Sequence, residues 1–226
     1  MKKILIVTTA LLGLCNVQPV SAQIPNEGLA ARIIAARKAN DALLKQYSWS
    51  SRVELIDNEK VEDIRIDLVS FGPDGQLQRT AVNDQPAPLP AGFLRKRIAE
   101  KERERVEKYL VGLRQLLDQY TLPTPGKVID YVSQAAISAP DANGLLKLSG
   151  GNVLVSGDTY TMWIDPATRQ TRKIQITTSY DQNYVELSAT FRTLKSGLTH
   201  VQYAEVDVPG KGLKLQMHDF DYNQNN

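Results

Sequence analysis

The sequence of 226 residues predicts an α+β fold in which helices cover the open face of one strongly curved antiparallel sheet. Apolar residues recur at helical spacing in two long segments and alternate with polar residues in about ten others. Short turns rich in glycine, proline, asparagine and aspartate separate the alternating segments, so consecutive strands are expected to form hairpins. Such a sheet must protect its inner face, and helices with apolar stripes are available for that.

The first 22 residues predict a cleavable export signal. Lys2 and Lys3 are followed by an uncharged apolar run over residues 4–14. Residues 20–22 then provide the small side chains that signal peptidase requires. A membrane anchor is the alternative, but the apolar run is shorter than the roughly 20 residues that a spanning helix needs. No later apolar stretch approaches that length, so no transmembrane segment is expected after cleavage.

Lipid attachment at Cys15 is a second alternative, because lipoprotein signals also end at a cysteine after an apolar run. The preceding residue is Leu14, where that processing favours a small side chain. Cleavage after Ala22 would remove the only cysteine and leave 204 of the 226 residues. Disulfides, thiolate catalysis and cysteine-bound zinc are then excluded from the mature chain.

The charge of the chain also depends on the signal. The full sequence has 27 basic and 25 acidic side chains, and two of the lysines lie in the signal. The mature chain is therefore formally neutral, which offers little attraction to nucleic acid or to anionic membranes. Residues 23–226 are expected to form one domain, although two small domains stay open.

The mature chain opens with a predicted helix, which Asn26 can cap through its side-chain oxygen. Its apolar face comprises Leu29, Ile33, Ala36, Leu43, Leu44 and Tyr47. After this helix the apolar residues recur at every second position, and strands are predicted over residues 49–55, 64–68 and 76–82. A glycine–proline turn at residues 72–75 precedes the third. Strands with one solvent-exposed face and one buried face are typical of an antiparallel sheet.

A helical insertion over about residues 93–137 is predicted next. Residues 83–92 contain three prolines and are interpreted as a loop that leads into it. A long helix is expected over residues 93–120 and a shorter one over residues 127–137. The first half of the long helix is rich in charge and could bind a partner or a phosphate. Because acids and bases are mixed through it, a solvated helix surface is favoured.

The rest of the chain predicts repeated strands and turns. Seven strands are expected, over residues 145–149, 152–156, 159–164, 172–179, 184–193, 198–208 and 213–222.

The usual catalytic groups are scarce. His200 and His218 lie in predicted strands, where surface or packing roles are the commoner ones, and no G-x-S-x-G motif occurs. The paired glycines lie between strands and do not form a phosphate cradle. A hydrolytic pair would require the fold to bring together two of these carboxylates: Glu54, Asp63, Asp67 and Glu186. No catalytic residue, metal ligand or cofactor is predicted.

The C-terminal segment resembles the opening of a calcium loop, with oxygen-bearing side chains at every second position: Asp219, Asp221, Asn223 and Asn225. Gln224 stands where such a loop needs glycine, so a polar strand end is the favoured interpretation. Strict alternation would place Phe220 and Tyr222 on the opposite strand face.

The order of these elements resembles the LolA-like family of periplasmic lipoprotein carriers and sensors. The resemblance rests on the first helix, residues 49–55, the helical insertion and residues 160–166, an aromatic strand that ends in an aspartate–proline turn. It implies an unclosed β-barrel with helices over its mouth. It also implies a non-enzymatic periplasmic protein that carries or senses an apolar ligand, either a lipid or the acyl chains of a lipoprotein.

The strand residues expected to contact such a ligand are large and apolar: Trp49, Val53, Leu55, Ile64, Ile66, Leu68, Tyr160, Met162, Ile164, Phe191 and Met217. Filling an ordinary core is their alternative role. A filled barrel would indicate an envelope structural module that binds a partner protein, and converging carboxylates or histidines would indicate a periplasmic hydrolase.

Overall fold

The computed structural model describes residues 26–86, 93–121 and 124–225. The predicted export signal, including Cys15, lies outside the described residues, as do the side chain of Asn26 and residues 87–92 of the predicted loop. None of the helices in the described ranges is both long enough and apolar enough to cross a membrane.

The described residues form three α-helices and ten strands in the following order: α1 Asn26–Leu44, β1 Tyr47–Asp57, β2 Lys60–Phe71, β3 Leu77–Pro86, α2 Phe93–Thr121, α3 Pro125–Gln134, β4 Ala136–Ile137, β5 Leu146–Gly151, β6 Thr159–Ile164, β7 Thr171–Tyr180, β8 Asn183–Thr193, β9 Thr199–Val208 and β10 Leu213–Gln224.

All ten strands belong to one antiparallel sheet, in the order β3-β2-β1-β10-β9-β8-β7-β6-β5-β4. Strands β4 to β10 follow one another as a meander, and β10 then pairs with β1. The sheet is not closed, because β3 and β4 form its two edges. The predicted α+β class is confirmed, but the sheet is not as strongly curled as we expected.

Three segments differ most from the prediction. β3 continues to Pro86 at the sheet edge, where the missing amide hydrogen of a proline is tolerated. The second predicted helix ends at Gln134, and residues 136–137, predicted as its last residues, form the two-residue strand β4, which is too short for its period to be recognised. Residues 152–156 were predicted as a strand and instead form a loop.

The carboxylate of Asp158 holds this loop. It accepts hydrogen bonds from the backbone amides of Val153, Leu154 and Val155 at 2.6, 2.8 and 2.8 Å, and from the hydroxyl of Tyr120 on α2. These amides therefore point at a side chain instead of a neighbouring strand. Asp158 is only 2 % exposed, so one buried carboxylate links the loop to the helix above it.

The interior is packed unevenly. On the side of β5 to β8, the inward side chains are buried against the helices. The largest of these fully buried side chains include Ile33 of α1, Leu113 of α2, Val132 of α3, Leu148 and Ile164. On the side of β1, β9 and β10, inward apolar side chains such as Val53, Leu215 and Met217 are only half-buried. The sheet therefore has one packed half and one open half.

Replacing Asp158 with alanine is expected to lower the free energy of unfolding by roughly 3 kcal/mol, because three backbone amides and a tyrosine hydroxyl lose a buried acceptor. Chemical unfolding of both proteins measures this difference. An unchanged unfolding midpoint would contradict it.

The contribution of Asp158 should also depend on pH. Burial acts to raise the pKa of this carboxyl, but the hydrogen bonds from Tyr120, Val155, Leu154 and Val153 together lower it below its usual value. A lowered folded-state pKa stabilises the fold above the unfolded pKa of about 4, and this stability is lost as pH falls through the folded value. Asp158→Asn should therefore unfold with a weaker pH dependence below about pH 4 than wild type.

Candidate apolar cavity

A cavity of about 1710 Å³ lies between the inner face of the sheet and the helices α1 and α2. Its walls come from α1, α2 and eight of the strands, β1 to β3 and β6 to β10. Pockets that hold drug-sized ligands have volumes of about 300–1,000 Å³, so this cavity has room for a larger ligand or for several extended hydrocarbon chains.

The floor of the cavity consists of two apolar rows that cross β9, β10 and β1. The rows are Val206–Leu215–Leu55 and Ala204–Met217–Val53, as the strand register pairs them. All six residues line the cavity and none is fully buried. Directly paired residues share a sheet face, so the register alone assembles this continuous apolar surface.

Seven of the eleven predicted ligand-contacting residues line this cavity: Trp49, Val53, Leu55, Tyr160, Met162, Phe191 and Met217. The other four, Ile64, Ile66, Leu68 and Ile164, are not part of its wall. Ile164 is completely buried in the packed half of the interior. Ligand contact by the seven residues stays a prediction.

The β2 residues lie on the outer face because of their register with β1. The inward residues Val53 and Leu55 pair with Arg65 and Asp63, so the apolar residues between these charges point outward. Leu68 is accordingly 46 % exposed. An alternating pattern shows that a strand has two different faces, and here the charged face is the one that meets the cavity.

Charged side chains of β2 and β3 form one side wall. Asp67 is 3 % exposed, and its carboxylate lies 2.7 Å from Nε of Arg65 and 3.6 Å from a guanidinium nitrogen of Arg79. The two guanidinium groups therefore supply the opposite charge beside this buried carboxylate. Both arginines line the cavity, so the wall presents paired charge to its interior.

The end of the cavity below α1 is polar. Trp49, His200, Asp219 and Tyr222 line it, and Ser51 pairs directly with Asp219 across β1 and β10. The ring of Tyr222 stacks on Trp49 at 5.3 Å between centroids and lies 3.9 Å from the ring of His200. The inward residues of β1, β9 and β10 therefore change from apolar to polar at the same end of the cavity.

Burial changes the titration of this polar end. It raises the pKa of Asp219 above its usual value, although Ser51, Arg79 and His200 act in the opposite direction. It also lowers the pKa of His200, which favours the neutral imidazole. For Tyr222, burial and the neighbouring Asp219 both raise the pKa.

Sequence reasoning missed Asp219 and Tyr222 as residues of this polar end. Asp219 continues the inward phase of Leu213, Leu215 and Met217, and that signal was visible in the sequence. The position of Tyr222 could not be seen in the sequence, because it depends on the φ of 54° at Asp221 and on a nearby shift in the β1–β10 register. This irregularity brings Tyr222 to the same face as Asp219, so the prediction of strict alternation is wrong here.

The four carboxylates considered for hydrolysis do not converge. Asp63 and Asp67 face the cavity side of β2, whereas Glu54 pairs with Ile64 on the outer face and Glu186 is exposed on β8. The two histidines also separate, since His218 is exposed and pairs with Arg52 on the outer face. No group of three or more metal-ligating side chains occurs in the ranges that the structure describes.

The helices are attached to the sheet at specific points. On α1, the side-chain amide of Asn40 donates to the carbonyl of Thr199 at 2.8 Å and accepts from its amide at 2.7 Å. On α2, Gly112 allows close approach of Tyr180, whose hydroxyl would lie 1.9 Å from any Cβ at that position. These contacts hold the cavity roof over β7 and β9.

Comparisons with known proteins find distant structural similarity. A DUF1329 family protein from Desulfovibrio piger is 12 % identical with a TM-score of 0.38, covering 88 % of this chain and 91 % of that one. A domain assigned to the outer membrane lipoprotein-sorting proteins of Vibrio parahaemolyticus is 9 % identical with a TM-score of 0.39, covering 85 % and 90 %. A LolA superfamily protein from Nitrosomonas europaea is 8 % identical with a TM-score of 0.32, covering 86 % and 94 %.

No protein-family profile and no curated protein matches the sequence. The similarity of this chain to these solved structures is therefore a distant one. At these identities and TM-scores, function has to be argued from the cavity of this chain.

Replacing Gly112 with alanine should displace Tyr180 and destabilise the protein. An added methyl group in a helix normally stabilises it by about 1 kcal/mol, but overpacking costs about 1–3 kcal/mol. Gly28→Ala in α1 is the matched control, because a Cβ there would meet no atom within 4 Å. Thermal unfolding should show a lower Tm for the α2 variant only, and equal Tm values would contradict the close contact.

Proposed function

We propose that this protein is a non-enzymatic periplasmic binding protein for an apolar ligand, acting as a carrier or a sensor. In this proposal residues 1–22 are removed on export and residues 23–226 form one LolA-like domain. One observation carries the proposal. The inward apolar side chains of β1, β9 and β10 are only half-buried and line a cavity of about 1710 Å³.

The physical reason is the hydrophobic effect. Water over the apolar rows of the cavity floor contacts side chains that cannot form hydrogen bonds with it, and an apolar ligand would replace that water. Each methylene transferred from water contributes about 0.8 kcal/mol, so one long acyl chain could bind without any charged contact. Lipids and the acyl chains of lipoproteins are the ligands of this chemistry.

The alternatives have weaker support. A structural module would be expected to fill its interior on both halves of the sheet, and only the side of β5 to β8 is filled. Of the acidic and imidazole groups that a hydrolase could use, Glu54, Glu186 and His218 lie on the outer surface, and only His200 and Asp219 of the described residues named above meet at the polar end of the cavity. An envelope protein that supplies or receives the ligand is a further partner of this proposal.

The proposal predicts that the mature protein isolated from its native envelope carries a lipid. Native mass spectrometry should detect an adduct of lipid size that disappears under denaturing conditions. If the isolated chain is bare, it should take up lipid offered in detergent or vesicles. A bare chain that takes up none would contradict the proposal.

Ala204→Trp is expected to weaken uptake of a fluorescent lipid at least about tenfold. The added indole would occupy the cavity floor beside Met217, its partner across β10, and would remove room for acyl methylenes. Thr190→Trp is the matched control, since it adds the same ring to an exposed position on the neighbouring strand β8. Equal affinities of the two variants would show that the cavity is not the binding site.

A further inference from the structure

The outer face of β5, β6 and β7 lies on the opposite side of the sheet from the cavity. Inward residues of these strands, such as Leu148 and Ile164, are completely buried, and the outward residues alternate with them. One row of outward residues crosses the three strands, because Trp163 of β6 pairs with Lys147 of β5 and with Lys173 of β7. We call these three residues the basic row.

The tryptophan of the basic row holds both lysines in place. Nζ of Lys147 lies 5.6 Å from the centroid of the Trp163 ring, and Nζ of Lys173 lies 5.0 Å from it. Both distances are within the range of a cation–π interaction, which attracts an ammonium group to the ring. The two positive charges therefore have defined positions, and an anion that binds them has less side-chain freedom to restrict.

The two ammonium groups have no acidic partner among the described residues. Lysine ion pairs in those ranges are formed by Lys60 and Lys214 instead, on other strands. Lys147 and Lys173 approach the same ring from the two neighbouring strands, so their charges repel each other. An anionic group bound to both lysines would replace this repulsion with attraction.

The surface beside the basic row is polar and uncharged. Two further rows of outward residues cross the same three strands in the order β5, β6, β7. We call them the hydroxyl rows, and they consist of Ser149, Thr161 and Gln175, and of Gly151, Thr159 and Thr177. Hydroxyl and amide groups both donate and accept hydrogen bonds. The nine positions of the three rows therefore combine two positive charges with hydrogen-bonding groups and no negative charge.

Each chemical group of this face has a counterpart in a sugar chain that carries carboxylates. Carboxylate groups form charge-assisted hydrogen bonds with ammonium groups such as those of Lys147 and Lys173. Sugar hydroxyls donate and accept hydrogen bonds, as the side chains of the hydroxyl rows do. The half-buried Trp163 adds apolar contact area to the same surface. An uncharged glycan would leave both ammonium groups without a partner.

An anionic membrane fits this face less well. Binding of a protein to a lipid surface depends on the apolar area that enters the bilayer as well as on charge. The large apolar side chains that are exposed in the described ranges all lie on other elements: Val61, Leu68, Leu77, Val82, Val111, Ile129 and Tyr184. A nucleic acid fits less well too, because its affinity comes from many phosphate contacts and the three rows offer two cations.

We propose that the outer face of β5, β6 and β7 is a docking surface for a glycan strand that carries carboxylate groups. Lys147 and Lys173 bind the carboxylates, and the hydroxyl rows bind the sugar units beside them. This proposal goes beyond the proposed function and does not depend on it, because the surface and the cavity lie on opposite faces of the sheet. The protein can therefore hold a ligand inside and a glycan outside at the same time.

The test compares two polymers that differ only in charge. Polygalacturonate carries a carboxylate on every sugar unit, and in its fully methyl-esterified form these groups are neutral. Surface plasmon resonance on the immobilised polymers measures the affinity of the mature protein at low salt. Wild type should bind polygalacturonate at least about fivefold more tightly than the ester, because each exposed ion pair contributes up to about fivefold.

The double variant Lys147→Gln/Lys173→Gln should bind polygalacturonate at least about fivefold more weakly than wild type and bind the ester equally. Lys38→Gln/Lys127→Gln is the matched control. It removes the same net charge from exposed positions on α1 and α3, which cover the other face of the sheet, and should bind polygalacturonate as wild type does. Glutamine keeps most of the lysine side chain, so both variants should unfold at the same Tm.

Three results would overturn the proposal. Wild type could bind neither polymer, or the control variant could lose as much affinity as the variant of the basic row, which would indicate attraction by net charge alone. The basic row could instead be required for binding to dioleoylphosphatidylglycerol vesicles and not to polygalacturonate, which would make the face a membrane contact. Uptake of fluorescent lipid by the cavity should be equal in all these proteins, so the proposed carrier function is tested separately.

Discussion

Strands β1 and β10 pair from Tyr47 with Gln224 at one end to Asp57 with Leu213 at the other. This ladder joins the unit of β1, β2 and β3 to the meander of β4 to β10, which otherwise share no strand pairing. It also builds the candidate site, because the two apolar rows and the Ser51–Asp219 pair all cross it. A shift of one residue in this register would turn every one of these side chains to the outer face.

The two halves of the interior have different energetic roles. The packed half, with Ile33, Leu113 and Leu148 buried completely, supplies the apolar burial that stabilises the fold. Buried polar contacts such as the one between Tyr120 and Asp158 then fix the helix α2 against this half. The open half forgoes part of that burial, since Val53 and Met217 keep accessible apolar surface. A protein can tolerate such a cavity only where the rest of its core is tightly packed.

Most of the fold could be predicted from local patterns. The long helix α2 and the strands with clear turns between them carry strong periodic signals, and their observed bounds lie within a few residues of the predicted ones. The segment 152–156 was misread because its β-branched residues resemble a strand, while the carboxylate of the nearby Asp158 accepts its amide hydrogens. Only the three-dimensional position of that carboxylate reveals the difference.

The candidate site was harder to predict, because its composition depends on pairing between strands that are far apart in the chain. Alternation on β2 showed two faces, but only the register with β1 determines that Arg65 faces inward and Ile66 outward. The cavity-facing residues of β1 and β10 were easier to predict, since apolar residues occupy every second position over several residues of each strand. The irregularity at Asp221, which directs Tyr222 into the cavity, has no reliable sequence signal.

The long-range ladder between β1 and β10 has a consequence for how the molecule assembles. Its partners are separated by most of the chain, so its closure carries a large entropic cost and is expected to come late in folding. The meander of β4 to β10 consists of neighbouring hairpins and can form earlier. Synthesis delivers β1 first and β10 last, so the floor of the cavity cannot form until nearly the whole chain is available. A partly synthesised chain therefore has the strands of the cavity wall but no finished cavity.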